Sequence, residues 1–316
     1  MRALGTRYLR CVPETLASAL RRANERLSAT SSSPRSDAEE LLSRLVGIGR
    51  GELPGRGPRE LRDLDLERLE QWLARRERGE PVQYITGRAA FRSLDLAVDR
   101  RVLIPRPETE GLVECVVNVL KAEARRWPEP RVVDLGTGSG AIALAIAQEH
   151  PAARVLATDA SESALDLARA NATAAGLADR VELRRGDWLD ALSPDERLEV
   201  IVSNPPYIAT TERDALPDDV LRFEPAEALF SGATGLDALR EIVDEAPRHL
   251  VAGGLLALEL AESRAAEIHG WLDGAHDWSG VELIDDLSGQ PRVLLARRER
   301  GPAIAPAQWP EERERG

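Results

Sequence analysis

Apolar residues recur every three or four positions along the first 80 residues, which is the spacing of one helical face. The three predicted stripes are Leu16, Leu20, Ala23 and Leu27; Ala38, Leu41, Leu42 and Leu45; and Leu66, Leu69 and Leu73. Ser36 or Asp37 is the predicted N-cap of the second helix, and the Gly- and Pro-rich segment 47–58 is predicted to be a loop. Residues 1–87 are therefore expected to form a small helical bundle that docks or orients a partner.

The apolar pattern changes between residues 88 and 108. Short alternating runs (Leu94, Leu96 and Val98, then Val102 and Ile104) predict a hairpin that links two domains. From there on, helical stripes alternate with strand-length apolar runs. The predicted strands are Arg131–Leu135, Arg154–Thr158, Val181–Arg185, Leu198–Ser203, Leu255–Leu260, Val281–Asp285 and Arg292–Ala296, and the predicted helices lie at about 109–125, 141–149, 161–175 and 236–250.

This alternation predicts an α/β domain over residues 109–298, with a mostly parallel sheet covered by helices on both faces. Only Ser288, Gly289, Gln290 and Pro291 separate the last two strands, so these strands must be antiparallel. A seven-stranded Rossmann-like sheet with a terminal antiparallel hairpin is typical of the methyltransferase variant of this fold. Residues 299–316, rich in Pro, Glu and Arg, are expected to be a flexible tail.

Charge and composition disfavour several functions. The formal net charge is −12, and although the first 87 residues carry 16 arginines against 13 acidic residues, the remainder carries −15. Proteins that bind nucleic acid usually present a basic face, so stable nucleic-acid binding is not expected. The two cysteines, Cys11 and Cys115, predict neither a disulfide framework nor a metal site. Without an apolar run of about 20 residues or a signal peptide, a cytoplasmic protein with no membrane association is expected.

A glycine-rich loop, reading DLGTGSG from Asp134 to Gly140, ends the first sheet strand and precedes a helix. Glycines let the backbone turn tightly and let a ligand approach the chain closely. Dinucleotide-binding enzymes prefer the spacing G-x-G-x-x-G, which lets the N-terminus of a helix bind the pyrophosphate, whereas this loop has the spacing G-x-G-x-G. S-adenosylmethionine has no phosphate and therefore fits the loop better. The candidate cofactor-binding residues here are Gly136, Thr137, Gly138, Ser139 and Gly140.

Three further residues extend this candidate site. Asp159 ends the second sheet strand, where a carboxylate can accept both hydroxyl protons of an adenosine ribose. An NAD enzyme would use an acid there too, so Asp159 indicates adenosine without choosing the cofactor. Asp187 and Trp188 follow the third strand and could bracket adenine by a hydrogen bond and by stacking, although Trp188 could equally be a core residue.

The motif Asn204-Pro205-Pro206-Tyr207 follows the fourth sheet strand, at the sheet edge where α/β proteins bind ligands. Two prolines remove two backbone donors, so the loop offers carbonyl acceptors. Asn204 adds a side-chain acceptor, and Tyr207 adds an aromatic face. Together they suit a planar NH₂ group, whose two N–H bonds need acceptors and whose plane can stack on the ring. We expect no general base before methyl transfer.

In combination these motifs resemble the HemK/PrmC-type release-factor glutamine methyltransferases. Asn-Pro-Pro-Tyr is shared by adenine-N6 DNA methyltransferases and glutamine-N5 protein methyltransferases, but further segments look like the HemK/PrmC family. They are Gly79-Glu80-Pro81 with Ile85-Thr86-Gly87, the run IPRPETE from Ile104 to Glu110, the run from Asp134 to Ala147, and Phe223-Glu224-Pro225 with Ala228-Leu229. The resemblance runs from about residue 13 to 298. Ala261 stands where the family usually has a glycine.

The resemblance implies methyl transfer from S-adenosylmethionine to the glutamine N5 of the Gly-Gly-Gln motif in peptide chain release factors 1 and 2. It places Gly136–Gly140, Asp159 and Trp188 at the cofactor and Asn204–Tyr207 at the glutamine, with Asn204 next to both. The expected catalytic residues are Asn204, Pro205 and Tyr207, supported by Arg106, Glu108, Glu110 and Asp187. Alternative functions are glutamine methylation of a ribosomal protein, adenine-N6 methylation of DNA, and cofactor binding without turnover.

Overall fold

The computed structural model describes residues 13–299, in two compact units that divide between Gly87 and Arg88. Cys11 and all but the first residue of the predicted tail lie outside this range. The described part of the first unit contains the helices α1 (Leu16–Leu27), α2 (Pro34–Val46), α3 (Asp63–Glu77) and α4 (Val82–Thr86). Their apolar faces form one core that includes Leu16, Leu41, Leu69 and Leu73, each at most 1% exposed. The helical prediction for this unit is therefore confirmed.

Three details of the first unit differ from the prediction. Helix α2 begins at Pro34 rather than after Ser36 or Asp37, because proline has no N–H to lose in the first turn and its φ already suits a helix. Asp37 lies inside the helix and pairs with Arg76 at 2.7 Å. The predicted loop 47–58 contains two 3₁₀ turns, Arg50–Glu52 and Pro54–Arg56. The short helix α4 was not predicted, because five residues are too few to show a helical period.

The second unit opens with a hairpin of β1 (Arg88–Phe91) and β2 (Leu94–Ala97). The prediction placed strands at Leu94–Val98 and at Val102–Ile104, and the second of these is wrong, since 102–104 is not a strand. Phe91, Leu94 and Leu96 are buried in the core beneath the sheet. Val102 and Ile104 are apolar for a different reason, because both side chains are buried although neither belongs to a strand.

The rest of the second unit alternates helices and strands. Its elements are α5 (Thr109–Ala122), β3 (Arg131–Leu135), α6 (Ala141–Glu149), β4 (Arg154–Asp159), α7 (Glu162–Ala174), β5 (Val181–Arg185), β6 (Leu198–Ser203), α8 (Asp218–Phe223), α9 (Asp237–His249), β7 (Leu250–Glu259), α10 (Glu262–Asp273), β8 (Trp278–Asp285) and β9 (Pro291–Arg298). The seven predicted sheet strands are confirmed, whereas α8 and α10 were not predicted. Ala261, between β7 and α10, has ordinary extended backbone angles, so the position does not need glycine.

The seven-stranded sheet has the order β5-β4-β3-β6-β7-β9-β8, which confirms the predicted fold class. Strands β3 to β7 run parallel, and β9 is antiparallel to both β7 and β8. Buried apolar residues cover both faces: α5, α6 and the hairpin pack on one, and α9 and α10 pack on the other. This two-sided burial explains why β6 reads as an almost continuous apolar run.

The sheet order places three motifs side by side. Strand β3 lies between β4 and β6, and its Leu135 is in register with Thr158 on one side and Ser203 on the other. The chain therefore leaves the sheet at Gly136, Asp159 and Asn204 along one short stretch of its edge. This is the point where the strand order reverses, and ligands bind there in open α/β sheets. Within residues 13–299, no helix is both long and apolar enough to span a membrane.

Candidate active site

The glycine-rich loop after β3 is fixed by hydrogen bonds to the side chain of Asp134. Its Oδ2 accepts hydrogen bonds from the Thr137 hydroxyl at 2.6 Å and from the Ala143 backbone N–H at 3.1 Å. Asp134 is completely buried, and this burial raises its pKa to about 7. The carbonyl of Ser139 accepts from the Asn171 side chain at 2.8 Å. Thr137 and Ser139, both predicted at the cofactor, are buried, and the Thr137 hydroxyl and the Ser139 backbone carbonyl help to fix the shape of the loop.

Gly136 and Trp188 lie against each other at the mouth of this loop. Gly136 has a φ of +69°, and a Cβ built on it would lie 3.2 Å from Cζ3 of Trp188. Trp188 itself has a φ of +37°, a conformation that is costly for a residue with a side chain. Its ring also packs against the apolar core of that sheet face. Trp188 therefore packs partly as a core residue, and its predicted stacking on adenine stays a prediction.

Asp159 connects the second strand to the glycine loop. Its Oδ2 accepts from the Gly138 backbone N–H and its Oδ1 from that of Ser161, each at 2.9 Å. Burial raises the pKa of Asp159, and these two N–H donors oppose that rise. A carboxylate oxygen can accept more than one hydrogen bond. Asp159 can therefore hold the loop and still accept two hydroxyl protons from a ligand.

Asn204 begins the loop after β6 and is oriented by a neighbouring helix. Its Nδ2 donates to the Thr109 hydroxyl of α5 at 3.1 Å. With the amide nitrogen held in this way, Oδ1 is the atom left to accept a hydrogen bond from a ligand. Thr109 was not among the predicted site residues, although it lies inside the segment IPRPETE that carried part of the resemblance.

The end of the Asn-Pro-Pro-Tyr motif is fixed by backbone contacts. Ile208 donates to the Leu229 carbonyl at 3.1 Å and accepts from Ser231 at 3.0 Å. Gly235 has a φ of +79°, and a Cβ there would lie 2.5 Å from the Tyr207 carbonyl oxygen, so only glycine fits. Tyr207 is largely buried, which raises the pKa of its hydroxyl to about 12. The tyrosine is consequently neutral and can offer an uncharged aromatic face.

The four supporting residues lie in different surroundings. Arg106 pairs with the buried Glu224, whereas Glu108 is exposed at the start of α5. Glu110 accepts from the Arg92 backbone N–H at 2.8 Å and so fixes the turn of the β1–β2 hairpin. Asp187 is exposed beside Trp188. Of these four, Arg106 and Asp187 line the cavities described next, and Glu108 and Glu110 do not.

Two adjoining cavities occupy this edge of the sheet. The larger, about 680 Å³, is lined by Gly136, Gly138, Asp159 and Trp188, and also by the segment 100–103, which was not among the predicted site residues. The smaller, about 150 Å³, is lined by apolar side chains such as Ile208 and Val220, and by Pro205 and Tyr207. Asn204 and Pro206 line both cavities. A groove of about 730 Å³ at the opposite edge of the sheet includes none of the predicted site residues in its lining.

Known protein families and individual proteins match most of this chain. The PrmC N-terminal domain family matches residues 18–87, and the methyltransferase small domain family matches residues 113–223. A release factor glutamine methyltransferase from Xylella fastidiosa (strain Temecula1) is 45% identical over 278 residues, covering 85% of this chain and 95% of that protein. One from Koribacter versatilis is 40% identical over 271 residues, covering 86% and 94%. The chain belongs to the release factor glutamine methyltransferase family.

Membership of this family confirms the resemblance stated from the motifs and makes the protein an enzyme, a methyltransferase whose cofactor is S-adenosylmethionine. Among solved structures, the catalytic domain of hMettl16 in complex with MAT2A 3'UTR hairpin 6 matches with a TM-score of 0.50 and 14% identity, covering 78% of this chain and 85% of that one. At that identity the match supports the fold alone. The roles of the individual site residues stay predictions.

Proposed function

We propose that the protein transfers the methyl group of S-adenosylmethionine to the side-chain N5 of the glutamine in the Gly-Gly-Gln motif of peptide chain release factors 1 and 2. One observation carries the proposal: Asn204 lines both the larger cavity, with its glycine loop and Asp159, and the small apolar cavity beside Tyr207. A donor in the first cavity and an amide in the second would meet at this residue.

The larger cavity suits the cofactor in its dimensions and its polar groups. At about 680 Å³ it falls within the range of small-molecule sites. Gly136 lets the Trp188 ring approach the loop closely, that ring offers a stacking surface, and Asp159 offers acceptors for ribose hydroxyls. When bound, S-adenosylmethionine supplies a methyl group that is activated by attachment to a positively charged sulfur.

The small cavity suits a glutamine side chain. Its apolar lining can take the methylene groups, while Asn204 Oδ1 and the proline carbonyls accept the two N–H bonds of the amide. An amide nitrogen is a weak nucleophile because its lone pair is delocalised. Two acceptors on its hydrogens return electron density to nitrogen, and the rigid Pro205-Pro206 loop aims that nitrogen at the donor cavity. The ring of Tyr207 lines this cavity and offers a face on which the amide plane can stack.

The overall reaction needs no further reactant. The N5–carbon bond forms as the carbon–sulfur bond breaks, the sulfur leaves as a neutral thioether, and one amide proton departs to solvent after transfer. The work of this chain is therefore to bind, orient and shield the two groups. Positioning of this kind accounts for large rate accelerations in other enzymes.

A methylation assay with purified protein tests the proposal. The protein is incubated with methyl-labelled S-adenosylmethionine and release factor 1 or 2, and the labelled residue is located by mass spectrometry. The matched control is the same release factor with the glutamine of its Gly-Gly-Gln motif replaced by alanine. We expect label on that glutamine and none on the control. Label on a ribosomal protein or on duplex DNA instead, with none on either release factor, would overturn the proposal.

A further inference from the structure

Among the described residues, Arg106 contributes the one charged side chain to the lining of the small cavity. A guanidinium group has five N–H donors and no acceptor. Both hydrogen bonds of the Arg106 side chain within residues 13–299 start at Nη2, which donates to the two carboxylate oxygens of Glu224 at 2.7 Å and 2.8 Å. The donors on Nε and Nη1 have no partner in that part of the chain. Arg106 can therefore pair with Glu224 and still donate to a ligand.

A glutamine amide in the small cavity brings one acceptor as well as two N–H donors. Asn204 Oδ1 and the proline carbonyls accept the two N–H bonds, which leaves the carbonyl oxygen of the amide, Oε1, in need of a donor. A buried carbonyl oxygen without a hydrogen bond costs free energy. Of the side chains that line the cavity, those of Arg106, Asn204 and Tyr207 carry N–H or O–H donors.

Arg106 is the one of these three side chains that suits the carbonyl oxygen. Nδ2 of Asn204 already donates to the Thr109 hydroxyl at 3.1 Å. When the Tyr207 ring stacks on the amide plane, its hydroxyl lies in a parallel plane, whereas a carbonyl oxygen accepts hydrogen bonds near the plane of its own amide. The cavity has a volume of only about 150 Å³, so an amide inside it lies close to the side chains of its lining.

We propose that Arg106 determines the orientation of the substrate amide by donating a hydrogen bond from Nε or Nη1 to its Oε1. The inference rests on the proposed function and adds to it a second contact for the substrate glutamine. Arg106 can only donate and Asn204 Oδ1 can only accept, so an amide with its oxygen and nitrogen exchanged would meet the wrong group at both ends. The amide nitrogen consequently faces Asn204, where the two cavities meet.

Glu224 allows a cationic side chain to act next to a cationic cofactor. The sulfur of S-adenosylmethionine is positively charged, and an unpaired arginine in the adjoining cavity would repel it. The buried carboxylate of Glu224 balances the charge of Arg106 and occupies only Nη2. The pair thus offers hydrogen-bond donors to the substrate without a net charge.

A double-mutant cycle between Arg106 and the substrate glutamine tests the inference. Arg106→Lys keeps a positive charge beside Glu224 and removes the donors on Nε and Nη1. The release factor is used in two forms, one with the glutamine of its Gly-Gly-Gln motif and one with methionine there, which has a similar shape and no carbonyl oxygen. The Kd of each form is measured by calorimetry with the demethylated cofactor, S-adenosylhomocysteine, bound to the enzyme.

The two forms of the release factor should respond differently. We expect Arg106→Lys to weaken binding of the glutamine form about tenfold or more, as for the loss of a hydrogen bond to a charged group, and binding of the methionine form less than about twofold. Arg154→Lys, in the groove at the opposite edge of the sheet, is the matched control and should change neither Kd. Equal weakening of both forms would mean that the substitution damages the shape of the cavity, and it would overturn the inference, as would no weakening of the glutamine form.

The wild-type protein supplies a second test that does not depend on how Arg106→Lys folds. In a crystal structure of the complex with S-adenosylhomocysteine and the release factor, we expect a hydrogen bond from Nε or Nη1 of Arg106 to Oε1 of the glutamine. Its absence overturns the inference, while label on that glutamine in the methylation assay leaves the proposed function intact. No label with the wild-type protein would overturn both proposals.

Discussion

Arg106 and Glu224 form an ion pair between segments that are 118 positions apart in the sequence. Nη2 of Arg106 lies 2.7 Å and 2.8 Å from the two carboxylate oxygens of Glu224. The Glu224 side chain is 2% exposed and that of Arg106 is 33% exposed. Burial raises the pKa of Glu224, and Arg106 opposes this rise. Because Arg106 lines the small cavity, the pair fixes one of its walls.

Removal of Arg106 should destabilise the protein strongly. In Arg106→Ala a buried carboxylate loses its counter-charge, which typically costs about 3–5 kcal/mol, and the partial exposure of Arg106 places the expected loss at the lower end. Urea denaturation gives the free energy of unfolding. The exposed pair of Arg154 and Glu129 provides the control, because Arg154→Ala should cost no more than about 1 kcal/mol. Equal losses in the two variants would contradict the importance of burial.

Asn204→Ala should separate cofactor binding from turnover. We expect kcat to fall at least about a hundredfold, which is the usual scale for the loss of one polar group that acts on the reacting atoms. The Kd for S-adenosylmethionine should change little, because Asp159 and the glycine loop remain. Asn118→Ala, on the exposed face of α5, is the matched control. Comparable turnover in Asn204→Ala and Asn118→Ala would show that the acceptor role of Asn204 is wrong.

Much of this fold could be predicted because its signals are local and repeated. The strands β3 and β6 are apolar runs buried on both faces, and the glycine loop and Asn-Pro-Pro-Tyr follow them directly. Such patterns depend only on neighbouring residues and on the general rule that open α/β sheets bind ligands at the carboxyl ends of their strands. Helix α8 has only six residues, and the alternating positions 102 and 104 look like a strand although the structure has no strand there.

The side-chain contacts of the site were less predictable, because they join residues that are far apart in sequence. The bond from Asn204 to Thr109 spans 95 positions, and no periodicity connects the two. Glu259 is the one charged residue of the predicted apolar strand Leu255–Leu260, but that pattern does not show that its side chain lies 1% exposed in the folded chain. Thr137 and Ser139 at the cofactor stay a prediction from the loop pattern, which does not show that both residues are buried.

Asp159→Ala should weaken cofactor binding more than it affects folding. The variant loses the acceptors for ribose hydroxyls and also the bonds that Asp159 accepts from Gly138 and Ser161. We expect the Kd for S-adenosylmethionine to rise about tenfold or more, because hydrogen bonds to a charged group contribute about 1.5–3 kcal/mol. Calorimetry measures the change. Asp166→Ala on the exposed side of α7 is the control, and an equal effect there would contradict the assignment.

Asp134 should make the stability of the protein fall as the pH rises. Burial raises its pKa from 3.8 to about 7, so between those values the folded state binds a proton that the unfolded state has lost. The free energy of unfolding therefore decreases with pH across this window, by on the order of 3 kcal/mol from this group. Asp134→Asn does not titrate but keeps an oxygen to accept from Thr137 and Ala143. Urea denaturation gives the free energy of unfolding of the wild-type protein and of Asp134→Asn from pH 4 to 8. As the pH rises, this free energy should fall more in the wild-type protein than in the variant. Glu259 titrates in both proteins, so its contribution cancels in the difference. Parallel curves would mean that Asp134 is ionised throughout, with a folded-state pKa close to its unfolded one.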